Sequence, residues 1–272
     1  MTIEELIIYG KKYIHSIEAK MLLASVTGYD QLNLLNHLDE IISQEKIDLY
    51  KKLIDARINN KPTQYIVGTT EFYGLELIVN ESVLIPRFET EELVENTLKI
   101  IDKKFNSNIQ VLDLCCGSGA IGLTIKSKLP ECSVTMSDIS KDALCVATKN
   151  SKKLNLNVEI IESDLFQNIN KKFDVIISNP PYIAENEEID EMVKNNEPHL
   201  ALYGGEKGLD FYERILKDIK NYLNDNFLIA FEIGATQKDE IINFVKKYLD
   251  NVEIIAKKDL SNRDRMIFIT NK

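Results

Sequence analysis

Ser178, Asn179, Pro180, Pro181, Tyr182 and Ile183 follow one another at the end of a short apolar run that begins at Phe173. Two consecutive prolines remove two backbone donors and fix φ, so this loop is stiff and its carbonyls are expected to point outward unpaired. Beside them stand the side-chain oxygen of Asn179 and the aromatic face of Tyr182. Together these groups make a cradle for a planar NH2 group, with two acceptors for its two hydrogens and a ring to stack on its π face. The plain alternative is a rigid proline loop with a packing tyrosine.

Such a cradle has a chemical use. An amide nitrogen is a poor nucleophile because its lone pair is delocalised. Accepting its protons while aiming it at an activated carbon localises charge where the new bond forms. A sulfonium methyl is a carbon of that kind, and no strong base is required because the proton leaves after the bond has formed.

A second chemical signal lies upstream. Val111 to Leu114 runs into Cys115, Cys116, Gly117, Ser118 and Gly119, then into Ala120, Ile121 and Gly122. In an open α/β sheet a ligand sits beyond the carboxyl ends of the strands, and glycine lets the backbone approach it where a Cβ would clash. Gly117 and Gly119 are placed for that approach, while Gly122 permits close packing of helix on strand. The string GSGAIG also satisfies the dinucleotide fingerprint, so the loop alone does not choose between NAD and S-adenosylmethionine. A bare strand-to-helix turn is the bland reading.

Two acids follow at matching places. Asp138 closes the second strand, where a carboxylate can accept from both ribose hydroxyls of either cofactor. The competing role, capping the next helix, falls better to Ser140. Asp164, after the third strand, is placed to accept from an adenine amino group while Leu165 covers the ring, and a solvated turn acid is an equal alternative. An NAD-dependent dehydrogenase would leave Asn179 to Tyr182 unexplained and has no identifiable catalytic pair. A binding module without turnover is the remaining non-enzymatic reading.

The elements that must position these residues are legible in periodicity. Residues 1 to about 60 read as about four short helices, with Ala19, Leu22, Leu23 and Val26 on one stripe and Tyr50, Leu53, Ile54 and Ile58 on another. Breaks fall at Gly28, near Asn36, and at Asn59 to Pro62. From Gln64 to Leu84 the chain alternates like extended structure, with turn signals at Gly68, Gly74 and Asn80. From about residue 90, short apolar runs at 109–114, 133–137, 158–161, 173–178 and 227–233 alternate with helical stripes, which implies an open α/β sheet. Phe211, Ile215, Leu216, Ile219 and Leu223 form one stripe, and Thr236 with Asp239 reads as a capping box for the next helix. Val252 to Ala256 and Met266 to Thr270 lack room for a crossover, so the last two strands are expected to be antiparallel. The expected organisation is a helical segment at 1–63, a β-hairpin connector at 64–86 and a catalytic α/β domain at 87–272.

Bulk properties narrow the classes. With 43 acidic and 33 basic residues the net charge is −10, which repels a phosphate backbone and argues against stable nucleic-acid binding. Cys115, Cys116, Cys132 and Cys145 form no CxxC pair, and no metal or disulfide framework is expected. No signal peptide or apolar run long enough to span a membrane is visible, so a cytoplasmic chain with reduced thiols is the expectation.

The Asn-Pro-Pro-Tyr string resembles the signature of class I methyltransferases acting on planar nitrogens. Further segments narrow the resemblance. Pro62, Gln64 and Tyr65, then Gly68, Phe72, Tyr73 and Gly74, and the run Leu84, Ile85, Pro86, Arg87, Phe88, Glu89, Thr90, Glu91 resemble segments of the HemK/PrmC family. So do Glu197 and Pro198 before Ala201 and Leu202, the strand end Glu232 to Gly234, and Lys258, Asp259, Leu260 with Asp264 and Arg265. The resemblance covers nearly the whole chain.

It implies a Rossmann-like class I S-adenosylmethionine-dependent methyltransferase domain with a small N-terminal helical bundle. The implied activity is N5-methylation of the glutamine in the GGQ loop of class I peptide chain release factors, by a monomer whose helical segment grips the factor. Cofactor contacts carried over from the family fall on Cys115, Cys116, Gly117, Ser118, Gly119, Asp138, Asp164, Leu165 and Asn179. The substrate glutamine falls to Asn179, Pro180, Pro181 and Tyr182. Adenine-N6 methylation of DNA and glutamine methylation of a ribosomal protein are the alternatives within reach of the same motif. Two segments depart from the pattern. Cys115 and Cys116 replace Gly-Thr, which a backbone-reading loop tolerates only if Cys115 avoids positive φ. Phe88 replaces a proline in the segment expected to cover the cofactor.

Overall fold

The computed structural model describes residues 1–30, 32–106 and 108–272 of the chain. It divides into two compact units, Met1–Thr70 with Asp190–Asn196, and Glu71–Ile189 with Glu197–Lys272.

The first unit is helical. Ile3–Gly10 opens on a capping box, with the Thr2 hydroxyl accepting from the Glu5 N–H and the Glu5 carboxylate accepting from the Thr2 N–H. Ser16–Thr27 buries Ala19, Leu22, Leu23 and Val26, the stripe read from spacing, and stops at Gly28 with φ 87°. Gln44–Ile58 buries Tyr50 and Ile54, whereas Ile58, expected on the same stripe, ends the helix exposed. The Tyr50 hydroxyl donates to the Ala19 carbonyl at 3.2 Å, and a Cβ on Gly10 would lie 2.1 Å from that hydroxyl. Gly10 is therefore a packing requirement.

The segment read as extended from Gln64 begins differently. Thr63–Val67 is a short helix, entered from Pro62 and closed by Gly68 at φ 83°. Five residues are too few for an alternation pattern to separate strand from helix, and here the flanking Pro and Gly decide. Strands β1 (Thr69–Phe72) and β2 (Leu75–Ile78) then form the hairpin, joined by Tyr73 at φ 50° and Gly74 at φ 79°. Positive φ at both loop residues matches the right-handed strand twist. A further departure from the expected organisation is that Asp190–Asn196 belongs with the helical unit. The Asn196 side-chain amide donates there to the Asn60 carbonyl at 2.9 Å.

The second unit is built on seven strands: β3 (Gln110–Leu114), β4 (Ser133–Asp138), β5 (Glu159–Glu162), β6 (Phe173–Ser178), β7 (Leu223–Glu232), β8 (Val252–Lys258) and β9 (Asp264–Asn271). Their order is β5-β4-β3-β6-β7-β9-β8. The first five run parallel, and β9 lies antiparallel between β7 and β8. Alternate residues feed two apolar layers. Val111, Val175 and Ile177 meet Leu93, Val94 and Ile121 of the helices Phe88–Lys104 and Ala120–Lys128. Leu112, Leu114 and Ile176 meet Tyr212, Ile215, Ile241 and Val245 of Asp210–Asp218 and Lys238–Tyr248. Burial on both faces is why these strands read as continuous apolar runs.

Two local expectations are overturned. Leu223 leaves the helical stripe and opens β7. The Thr236–Asp239 capping box does not form, because the helix begins at Lys238 with Gln237 at the N-cap and no side-chain cap bond. Gln237 instead spends its amide on loops, accepting from the Gly234 N–H at 2.9 Å and donating to the Tyr182 carbonyl at 2.8 Å.

Candidate active site

The strand order reverses between β3 and β6, and the loops leaving their carboxyl ends open a cleft there. Its empty volume is about 980 Å³, part of it open to solvent. Cys115, Cys116, Gly117 and Ser118 line one side, while Asn179 and Pro181 line it from the end of β6. Asp138, Asp164 and Leu165 line it too.

The glycine loop is shaped by backbone strain and short bonds. Cys115 sits at φ 63°, against the expectation that it would avoid this region. The tight turn out of β3 requires it, since Cys116 must bring its N–H to the Ser137 carbonyl at 2.9 Å. Gly117 and Gly119 also have positive φ, 53° and 81°, and a Cβ on Gly117 would meet no atom within 4 Å. The Gly117 backbone therefore borders open space. Gly119 ends the loop as the N-cap of Ala120–Lys128, and it is not among the residues lining the cleft. A Cβ on Gly122 would lie 2.8 Å from Met136 Cγ and 3.0 Å from the Asp113 carboxylate, which accepts the Gly122 N–H at 2.8 Å. Burial pushes that carboxyl up to about 7, and its second oxygen has no partner among the described residues.

Asp138 takes two backbone donors, Gly117 N–H at 2.9 Å and Ser140 N–H at 2.9 Å. Burial raises its carboxyl against the opposing pull of those two bonds. Ser140 caps Lys141–Lys153 through its hydroxyl, so the acid is not consumed as a helix cap. Asp164 is more committed, with one guanidinium nitrogen of Arg214 at 2.7 and 2.8 Å from its two oxygens. Leu165 is buried at φ 49°, held by the Ser163 hydroxyl donating to its carbonyl at 2.7 Å. Asn150 was not singled out from sequence. Its buried amide donates to the Ser118 carbonyl at 2.9 Å and to Ile78 at 3.0 Å, tying the glycine loop to β2.

The Asn-Pro-Pro-Tyr corner is braced by side chains of other elements, one of which, Thr90, also lines the cleft. Neither proline carbonyl accepts a hydrogen bond among the described residues. The Asn179 amide donates to the Thr90 hydroxyl at 3.2 Å, and Thr90 donates to the Glu232 carboxylate at 2.6 Å. Tyr182 does not line the cleft. Its ring packs on the second apolar layer, its hydroxyl lies 3.3 Å from Glu232, and burial raises its phenol. Pro180 is buried and also outside the lining. Thr90 and Glu232 were visible in sequence only as motif letters, because nothing in spacing joins positions 142 residues apart.

Segments distant in sequence form the rim. Glu197 is buried against the Arg87 guanidinium and accepts the Ile85 N–H at 3.1 Å, so Pro86 and Pro198 both reach the cleft. Phe88 is 62% exposed and is not a lining residue, so the departure from proline leaves the wall intact.

The chain is similar to known proteins over most of its length. A family model for the PrmC N-terminal domain matches residues 14–68, and one for the methyltransferase small domain matches residues 92–207. A release factor glutamine methyltransferase of Streptococcus pneumoniae is 40% identical over 232 residues, 85% of this chain and 82% of that protein. The chain belongs to the release factor glutamine methyltransferase family. A Clostridium botulinum member is 41% identical over 260 residues, covering 93% of this chain and 91% of its own. Among solved structures, a methyltransferase from Pyrococcus furiosus aligns with TM-score 0.55 at 18% identity, over 79% of this chain and 96% of its own. That likeness shows the class I methyltransferase fold. Within the family, the segments that resembled its motifs, 84–91, 115–119, 179–182 and 197–202, supply about half of the residues that line the cleft.

Proposed function

We propose that this protein transfers a methyl group from S-adenosylmethionine to the side-chain nitrogen of a glutamine, the one in the GGQ loop of class I peptide chain release factors. One observation carries the reading: Asn179 and Pro181 line the same cleft as Cys115–Ser118 and Asp138. A holder for a flat amide and a holder for a nucleoside thus share one space.

The residues fit the donor. Asp138, fixed by two backbone donors, keeps lone pairs for ribose hydroxyls, and a carboxylate has about four such sites. Asp164 keeps acceptor capacity for an amino group after binding Arg214, and Leu165 supplies the apolar floor. When bound, S-adenosylmethionine supplies a methyl carbon activated by positive sulfur. The Asn179 Oδ1 accepts a hydrogen bond from one N–H of the glutamine NH2. That contact turns the nitrogen toward that carbon and stabilises the charge that develops on it, and once the methyl has passed from sulfur to nitrogen the displaced proton leaves to solvent through the open cleft.

The helical segment, residues 1–63, grips the release factor in this reading, and the enzyme acts as a monomer in the cytoplasm without stable nucleic-acid binding. Incubation with a purified release factor and cofactor, followed by mass spectrometry, is expected to find one added methyl on the GGQ peptide. Methylation of DNA or of a ribosomal protein, with the release factor left unmodified, would overturn the substrate assignment.

A further inference from the structure

An asparagine amide has an acceptor end and a donor end, and only the acceptor end suits a substrate that presents NH2. Which end faces the cleft is decided by what holds the other. Here the Nδ2 of Asn179 lies 3.2 Å from the Thr90 hydroxyl oxygen. Thr90 has a single proton, and its oxygen lies 2.6 Å from the Glu232 carboxylate, a group that accepts only when ionised. With Glu232 ionised and that proton committed to it, the Thr90 oxygen can only accept from Asn179. A flipped amide would set two acceptors against each other at Thr90 and two donors against each other in the cleft.

The relay is dry and anchored. Thr90 is 4% exposed and Glu232 1%, so water does not replace either bond. Thr90 lies in the first turn of Phe88–Lys104, and Glu232 ends β7, so both ends rest on regular elements. The second Glu232 oxygen faces the Tyr182 hydroxyl, and the Glu232 carbonyl accepts the Tyr212 hydroxyl at 2.6 Å. Arg265 and Glu89 are the charged groups acting on this carboxyl, and burial raises it to about 7. Apolar packing alone does not call for a carboxylate at this depth.

Resting on the methyl transfer proposed above, we propose that Thr90 and Glu232 are positioning residues. The direction of their hydrogen-bond relay holds Asn179 with its Oδ1 toward the reacting nitrogen. They act through Asn179, the catalytic residue of the three.

The test compares Thr90→Val and Thr90→Ser with the parent at saturating cofactor and varied release factor. Thr90→Val is expected to lower kcat by about tenfold or more, with KM for the release factor within about threefold, because orientation rather than docking is lost. Thr90→Ser keeps the relay and is expected to stay within about threefold of the parent. An unchanged kcat in Thr90→Val, or an equal loss in Thr90→Ser, overturns the proposal.

A double-mutant cycle covers the case in which Thr90→Val does not fold. Asn179→Asp sets two carboxylates on one hydroxyl that can satisfy only one of them. Adding Glu232→Gln supplies a donor and lets the relay run in reverse, so the double variant is expected to exceed Asn179→Asp alone by about fivefold or more in kcat. Additive losses overturn the proposal. Should the parent itself fail on release factors, the functional reading falls. The relay is then judged by hydrogen exchange of the Asn179 side-chain amide, slow in the parent and Thr90→Ser and fast in Thr90→Val if it exists, equal in all three if it does not.

Discussion

The loops that follow β3 and β6 leave neighbouring parallel strands and line one cleft, yet they present themselves to it by different means. The loop after β3 works with its backbone. It bends through positive φ at Cys115, Gly117 and Gly119, and its side chains are small. The corner after β6 works with side chains and carbonyls, and its shape is imposed by two prolines and by buried partners on other elements. Gln237 holds the Tyr182 carbonyl, while Thr90 and Glu232 hold Asn179 and the Tyr182 hydroxyl. A backbone-reading loop tolerates a change of side chain if φ and ψ are kept. A side-chain-reading corner does not, because the atom that acts is the one replaced.

The largest expected effect tests the corner. Asn179→Ala removes the acceptor that orients the substrate nitrogen, and turnover at saturating cofactor is expected to fall by about 100-fold or more, the usual scale for one preorganised polar contact. Cofactor affinity measured by calorimetry is expected to change far less. A variant that keeps turnover would remove Asn179 from the chemistry and leave the two loops without the division described.

The next effect belongs to the cofactor side. Asp138→Ala deletes an acceptor for ribose and frees the Gly117 N–H that it now holds. The dissociation constant for S-adenosylmethionine is expected to rise by roughly tenfold to a hundredfold, the worth of a hydrogen bond to a charged group. The turnover number at saturation is expected to move little. A loss expressed only in turnover would mean that Asp138 shapes the reacting geometry.

The two loops also differed in how much of them could be read from residues alone. Gly117, Asp138 and Ser140 announce a strand, a turn and a capped helix within thirty residues, so local physics suffices to place them. The corner's stiffness was equally local, since proline acts on its own φ. Its polarity was not legible. Thr90 precedes Glu232 by 142 positions, and their meeting depends on β7 lying beside β6 and on the packing of Phe88–Lys104. The same limit explains Tyr182, an aromatic beside a cradle in sequence that in space bonds back to Glu232. Where sequence erred locally, at Thr63–Val67 and Thr236, the pattern was too short or the expected cap had been displaced by Gln237.

The smallest expected effect asks whether the β3 loop reads its ligand by backbone alone. At φ 63° an L-residue carries a cost of roughly 1–2 kcal/mol, and Cys115 bears it because the turn out of β3 leaves no other path. Cys115→Gly relieves that cost. Glycine also returns about 0.5–1 kcal/mol of unfolded-state entropy, and the thiol's contacts with the second apolar layer are lost. The urea midpoint is therefore expected to stay within the equivalent of about 1 kcal/mol of the parent. Cys115→Val places a branched Cβ where φ is least tolerant of one, and is expected to cost about 1 kcal/mol or more beyond the parent. In both variants calorimetry is expected to return near-parental cofactor affinity whenever the protein is folded. A Cys115→Gly protein of normal stability that no longer binds S-adenosylmethionine would show that the thiol itself contacts the ligand, and the contrast between the loops would have to be redrawn as one of degree.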